Sequence, residues 1–204
     1  IVSCLMAIRK HPASRSGTAT TPIAWEAPCL EEVCGSCTML INGAPRQSCS
    51  TLVDRLPEGV ITLAPLTKFF VVRDLIVDRA PMFDALQQVQ AWIPIDGTYD
   101  LGPGPRMSEG EREVSYQFSQ CMTCGCCMEA CPQYNDRSGF LGPAPLAQVR
   151  LFNSHPTGRM NARERLDTIM GRGGIAECGN AQNCVEVCPK QIPLTEAFGE
   201  LGRQ

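Results

Sequence analysis

The cysteines constrain this chain more than any other feature. Eleven of its 13 cysteines fall into three strings: Cys29-x4-Cys34-x2-Cys37-x11-Cys49, Cys121-x2-Cys124-x2-Cys127-x3-Cys131-Pro132, and Cys178-x5-Cys184-x3-Cys188-Pro189. Clustered thiols of this kind are ligand runs rather than a disulfide framework, which belongs to short secreted chains without such runs. Zinc is a poorer match, because zinc strings pair C-x2-C units or recruit histidine, and x4 followed by x2 does neither. Iron–sulfur clusters account for all three strings.

The first string has the plant-type spacing that holds [2Fe-2S], assigning Cys29, Cys34, Cys37 and Cys49 to it. The second is the bacterial run, whose fourth cysteine serves a different cluster from the first three. The third is a damaged copy of the second: a complete copy needs a cysteine at 181, where the chain has Ala181. Crossing over as in two-cluster ferredoxins, Cys121, Cys124 and Cys127 join Cys188 around [4Fe-4S]. Cys131, Cys178 and Cys184 then supply three thiolates to the other site, which suits [3Fe-4S]. A cluster with a missing corner iron offers a substrate no vacant metal site, so outer-sphere electron relay is the chemistry expected. Gly35 and Gly125 lack a Cβ and permit positive φ and close backbone approach in the ligand loops. Cys126, beside Cys127, reads as a buried free thiol, and Cys4 as a small core residue on a helix face.

No catalytic residue is expected on this chain. Neither His11 nor His155 sits in a ligand pattern, and neither a Gly-rich phosphate loop nor a Ser/His/Asp grouping is present. The net charge of -3, without a basic stripe, gives no reason to expect nucleic acid. No run approaches the roughly 20 apolar residues of a membrane span. A chain that opens at Ile1 leaves room for opening strands or a targeting segment ahead of it.

The fold expected is α+β: an N-terminal plant-type ferredoxin domain of β-grasp form, residues 1–74, then an all-α bacterial-ferredoxin-like domain, residues 75–204. Residues 1–10 suit a short amphipathic helix. Thr38-Met39-Leu40-Ile41 reads as a strand, Asn42-Gly43 as a hairpin turn, Arg46–Cys49 as the return and Val60–Leu66 as another strand of a mixed sheet. From Val71 the apolar spacing turns helical through Val72, Leu75 and Ile76, then Met82, Phe83, Leu86 and Val89, with Asp78 as an N-cap near Pro81. Pro94–Pro105 is an irregular connection. Helices are expected at Glu111–Phe118, Pro145–Phe152, Ala162–Met170 (capped by Asn161) and Asn183–Val187.

The order of these strings resembles the iron–sulfur subunit of succinate dehydrogenase and fumarate reductase, the respiratory complex II family. Val33-Cys34-Gly35-Ser36-Cys37, Ile41-Asn42-Gly43, Val72-Arg73-Asp74-Leu75 and Cys188-Pro189-Lys190 add to the likeness, which runs over most of the chain. The resemblance implies an electron relay. Succinate is oxidised at a covalent FAD on a separate flavoprotein subunit, and electrons pass through [2Fe-2S], [4Fe-4S] and [3Fe-4S] to a quinone at a membrane anchor. Ubiquinone-linked relatives place histidine where this chain has Gly179 and tryptophans in the region of Gln133-Tyr134-Asn135-Asp136. Phe140 to Pro145 and Gly179 to Cys184 are more similar to bacterial members with a two-haem, single-polypeptide cytochrome b anchor. That subgroup implies haem b on the partner and menaquinone as acceptor. It also implies a place on the cytoplasmic face of the bacterial plasma membrane, the matrix side of the mitochondrial inner membrane being the alternative.

Two alternatives stand beside this reading, and one of them carries a prediction of its own. A soluble ferredoxin-like shuttle for another flavoenzyme requires a polar surface around Cys131 and Cys178. The complex II reading instead uses Val149, Leu151 and Phe152 with Pro132 and Tyr134 as an apolar patch for a membrane partner. Fumarate reduction, the reverse reaction, uses the same conduit.

Overall fold

The computed structural model describes residues 1–94 and 106–204, so the connection expected at Pro94–Pro105 lies, apart from Pro94, outside the described residues. The chain opens in helix α1 (Val2–Lys10). Ile1 and Leu5, four residues apart on one face, pack with Met39 and Ile41. Cys4 lies off that face and is exposed, as are Met6 and Ile8, which corrects its expected place in the core.

Strands β1 (Thr38–Ile41) and β2 (Ala44–Gln47) form an antiparallel hairpin. Asn42 and Gly43 take φ of 51° and 77°, the two positive values that a twist-matched two-residue turn demands. Strand β3 (Leu63–Ala64) pairs antiparallel on the other edge of β1, giving the order β2-β1-β3. The expected mixed sheet is therefore antiparallel throughout its described pairings. Between α1 and β1 the chain forms a single isolated bridge, Ala13 to Ala19, and so supplies no crossover to a parallel partner. Pro65, without an N–H to donate, follows directly on the short β3.

The first part of the helical spacing, Val71 to Ile76, proves to be a second hairpin, β4 (Val71–Arg73) against β5 (Ile76–Val77), and only the part from Met82 is helical. Val71, Val72, Ile76 and Val77 are β-branched and favour extended backbone. Asp74 takes the turn with φ 48°, and its carboxylate accepts the Ala24 N–H at 2.7 Å. Helix α2 (Ala80–Gln88) follows. Asp78 accepts the Ala80 N–H at 2.9 Å, acting from one residue before the N-cap, Arg79.

The second half is helical: α3 (Glu109–Ser119), α4 (Cys126–Ala130), α5 (Pro143–Ser154), α6 (Ala162–Met170), α7 (Asn183–Glu186) and α8 (Leu194–Leu201). Ser108 and Glu111 close a reciprocal capping box on α3. Asn161 is the N-cap residue of α6 without a capping bond, since its amide donates instead to Glu164 Oε1 at 3.3 Å. Helix α5 runs through the centre, with Leu146 and Val149 packed among Ile169 of α6 and Leu194, Ala197 and Leu201 of α8. Val149 is thus core, and cannot belong to the surface patch expected for a membrane partner. Leu151, Phe152 and Tyr134 are half-buried and Pro132 is exposed.

The sheet-bearing half and the helical half share this core, because Leu66, Phe69 and Met82 pack into it. The buried Glu129 of α4 reaches back across the junction. Its carboxylate accepts the Thr67 N–H at 3.0 Å, the Thr67 hydroxyl at 2.6 Å and the Lys68 N–H at 3.1 Å. The Lys68 ammonium in turn donates to the carbonyls of Met128 and Cys131.

Candidate iron–sulfur sites

The first ligand loop coils because Leu30, Glu32 and Gly35 adopt positive φ of 58°, 56° and 70°. Its amides turn inward, with the Glu31 N–H 3.5 Å from Cys29 Sγ. The amides of Glu31 and Val33, then the Cys34 thiol, hold Cys29 down at about 6, so this loop is built to favour thiolate. Cys49 arrives from beyond β2 and closes the group, its Sγ 3.3 Å from Cys37 Sγ. Burial, then contact with Cys37, pushes Cys49 up to about 11. Ser48, beside it, buries a hydroxyl that has no protein partner. Four thiols with inward amides are a donor set that fits a [2Fe-2S] group.

Cys121, Cys124, Cys127 and Cys188 form a second set. Cys127 lies within the electrostatic reach of the other three, and Cys121 within that of Cys124 and Cys188. Burial pushes Cys121 up to about 11 and also raises Cys127 and Cys188. Cys124 is held down at about 7, chiefly by its hydrogen bond with Cys126. Cys126 is fully buried, as a free thiol there should be, and that same bond, then burial, raises it.

Cys131, Cys178 and Cys184 form the third set, lining one small cavity with Ala181, Phe140 and Phe198. Cys184 is raised to about 11 by burial and then by the charges of Cys131 and Cys178. Cys127, Cys131 and Cys184 are buried in one cluster, with Cys121, Cys178 and Cys188 packed against it, so the second and third sets are neighbours. Among the described residues no group of three or more Cys, His, Asp or Glu side chains closes on a point suited to one metal ion. Ligands of a multi-iron cluster bind different irons and need not converge in that way.

Several residues that complete this arrangement carry no motif. A β-carbon on Gly35 would stand 2.7 Å from Cys124 Cα, which puts the first ligand loop in backbone contact with the second. Arg79 ties the same two loops, donating to Thr123 O at 2.6 Å and Ser36 Oγ at 3.1 Å. Gly125 has the positive φ expected of it, 84°, but its close neighbour is Met82, whose Cε a β-carbon would strike. Gln133 occupies the space beside Gly179, where a β-carbon would meet its Nε2 at 2.5 Å. His155 sits at the end of α5, away from these thiols, its Nδ1 facing the Thr157 hydroxyl at 3.0 Å and the Thr157 and Gly158 amides, each at 3.3 Å. His11 is exposed.

Residues 1–84 match the family described as a 2Fe-2S iron-sulfur cluster binding domain, and residues 117–192 the family described as a 4Fe-4S dicluster domain. The chain is similar to the succinate dehydrogenase iron-sulfur subunit of Bacillus subtilis (strain 168), with 60% identity over 203 residues, 100% of this chain and 80% of the relative. It is 35% identical over 179 residues to the fumarate reductase iron-sulfur subunit of Wolinella succinogenes, covering 86% of this chain and 74% of that one. Among solved structures it is similar to a chain of the Mycobacterium smegmatis Sdh1 complex in the apo form. There the TM-score is 0.72 at 28% identity, over 89% of this chain and 76% of the other. With two cluster-binding families matched in order and a relative 60% identical along the whole chain, the protein belongs to the family of iron–sulfur subunits of succinate dehydrogenase and fumarate reductase.

Proposed function

We propose that this chain is the electron-carrying subunit of a succinate:quinone oxidoreductase, standing between a FAD-bearing flavoprotein and a membrane anchor. Cys29, Cys34, Cys37 and Cys49 would hold [2Fe-2S]; Cys121, Cys124, Cys127 and Cys188 would hold [4Fe-4S]; Cys131, Cys178 and Cys184 would hold [3Fe-4S]. When bound, such groups supply one-electron carriers between a two-electron flavin and a quinone. The observation that supports the reading is the continuous order of the thiol sets: first against second through Gly35 and Cys124, second and third packed into one buried cluster through Cys127, Cys131 and Cys184.

The protein's own work is to hold and insulate. Residues 1–74 would present the first set on a coiled loop, and residues 75–204 would hold the other two. Inward amides stabilise ligand charge at Cys29, and burial keeps water from Cys127. Each Cys-Pro pair fixes φ at the proline and turns the chain away from the ligands. Substrate chemistry belongs to the flavoprotein partner. No helix of the described residues is long and apolar enough to cross a membrane, so attachment to the cytoplasmic face of a bacterial membrane runs through the anchor, a cytochrome b with haem that passes electrons to menaquinone. Gly179 and Gln133, with no histidine or tryptophan beside the third set, support that acceptor.

Purification of the intact complex from membranes tests this. A covalently flavinylated polypeptide and haem b co-purifying with this chain, with succinate reducing the iron–sulfur signals, is the expected result. An iron-bearing chain that purifies without either partner contradicts it and favours the soluble shuttle.

A further inference from the structure

Arg79, the N-cap residue of α2, brings a guanidinium to the place where the first two ligand loops meet. Its Nη2 donates to Thr123 O at 2.6 Å and its Nη1 to Ser36 Oγ at 3.1 Å, and both nitrogens lie 3.5 Å from Cys34 O. Arg79, Gly35, Ser36 and Cys124 line one small cavity. Thr123 directly precedes Cys124, so one cation holds a backbone carbonyl at, or one residue from, a ligand of each loop.

Stability alone does not account for an arginine here. Its Nε is buried without a hydrogen-bond partner among the described residues, a cost that a side chain with fewer donors would avoid. Among the described residues no carboxylate pairs with it. Glu26, which lines the same cavity, is exposed, and Asp78 is engaged with the Ala80 N–H. What accompanies the guanidinium is an aromatic face: its Cζ lies 5.7 Å from the centroid of the Phe83 ring. Thr123 is held with φ of 51°, an unusual value for a β-branched residue, and the carbonyl that Arg79 takes up is its own. Beyond these bonds the residue brings to the junction a positive charge that a guanidinium does not give up.

We infer that Arg79 is a positioning residue of the first two centres: its fixed charge, held where their ligand loops meet, raises the reduction potential of both. The sign follows because each reduced centre carries one more negative charge than its oxidised form, and a nearby cation stabilises the more negative form. This inference rests on Cys34 and Cys124 being [2Fe-2S] and [4Fe-4S] ligands.

The test is an EPR-monitored redox titration of the assembled complex carrying Arg79→Met, which keeps a long side chain and removes its charge. The midpoints of the first and second centres are expected to fall, while that of the third centre and the iron content hold. Arg79→Lys keeps the charge without the planar fork and is expected to bring both midpoints back towards their native values, a rescue that a merely structural clasp does not predict. Unchanged midpoints in Arg79→Met with a full iron complement overturn the inference. Equal falls in Arg79→Met and Arg79→Lys overturn it as well, because the lost fork and not the charge is then the cause. Where Arg79→Met fails to assemble, Phe83→Glu carries the test: it sets a carboxylate beside the guanidinium and leaves the bonds of Arg79 in place. Midpoints that do not fall there also overturn the inference. The reading beneath it is checked separately on the native complex. Without reduced [2Fe-2S] and [4Fe-4S] signals the proposed ligand sets fail, whatever the Arg79 variants do.

Discussion

Gly35 and Cys124 meet backbone to backbone: a β-carbon built on Gly35 would stand 2.7 Å from Cys124 Cα and 2.9 Å from Cys124 Cβ. No side chain separates the first and second ligand loops at this point, and Arg79 clasps both from the side. Short contact between carriers is what an electron conduit needs, so a glycine here serves transfer as well as loop shape.

Gly35→Ala is expected to force the two loops apart, because its φ of 70° disfavours any β-carbon and the neighbour it strikes is backbone. The strain alone is of the order of 1–3 kcal/mol. The expected outcome is a lower thermal midpoint for loss of cluster absorbance, together with weaker magnetic interaction between the first and second centres by EPR. Native values for both would mean that the contact is not close.

Glu129 joins the halves by a different bond type. Glu129→Ala leaves the Thr67 N–H, the Thr67 hydroxyl and the Lys68 N–H without their acceptor, at a cost of about 2–4 kcal/mol. Glu129→Gln keeps one carbonyl acceptor and is expected to lose less. Denaturant midpoints of the iron-loaded protein, read by circular dichroism and visible absorption together, rank the two.

His155 sets an acid sensitivity remote from the ligands. Burial, then the positive charge of Arg159, holds its pKa below the usual 6.5, and its Nδ1 must stay unprotonated to accept from Thr157 and Gly158. The folded chain resists a proton that the unfolded chain takes up below about pH 6.5. This contribution to stability is complete above that pH and is lost as the pH falls through the lower, folded-state value. His155→Ala is expected to be less stable at pH 7.5 and to show a flatter decline between pH 7 and pH 5 than the native chain, measured by denaturant unfolding.

Local chemistry made much of this legible beforehand. Ligand spacing is written along the chain, so each cysteine string could be read, and the Asn42-Gly43 pair announces its own turn. Helix α6 was visible from its apolar period. The run Val71–Val77 was not, because seven residues rich in β-branched side chains satisfy a short helical period and a hairpin equally well until Asp74 is seen to turn. Cys4 misled for a related reason: α1 buries one narrow face, and a two-turn window does not say which. Gln47 meets Cys126 from 79 residues away, and Arg79 reaches Cys34 and Thr123 from 45 and 44 residues away. Such contacts follow from how the two halves dock and leave no periodic trace in either.

The account stands on three unlike thiol sets, of which the third is short by the ligand that Ala181 fails to supply. Low-temperature EPR of the oxidised intact complex, native and Ala181→Cys, tests this most directly. The native complex is expected to show an oxidised three-iron signal, and Ala181→Cys, with a fourth thiol beside Cys178 and Cys184, is expected to lose that signal and gain one iron per chain. A native complex with no three-iron signal, or with zinc as its only metal, contradicts the account.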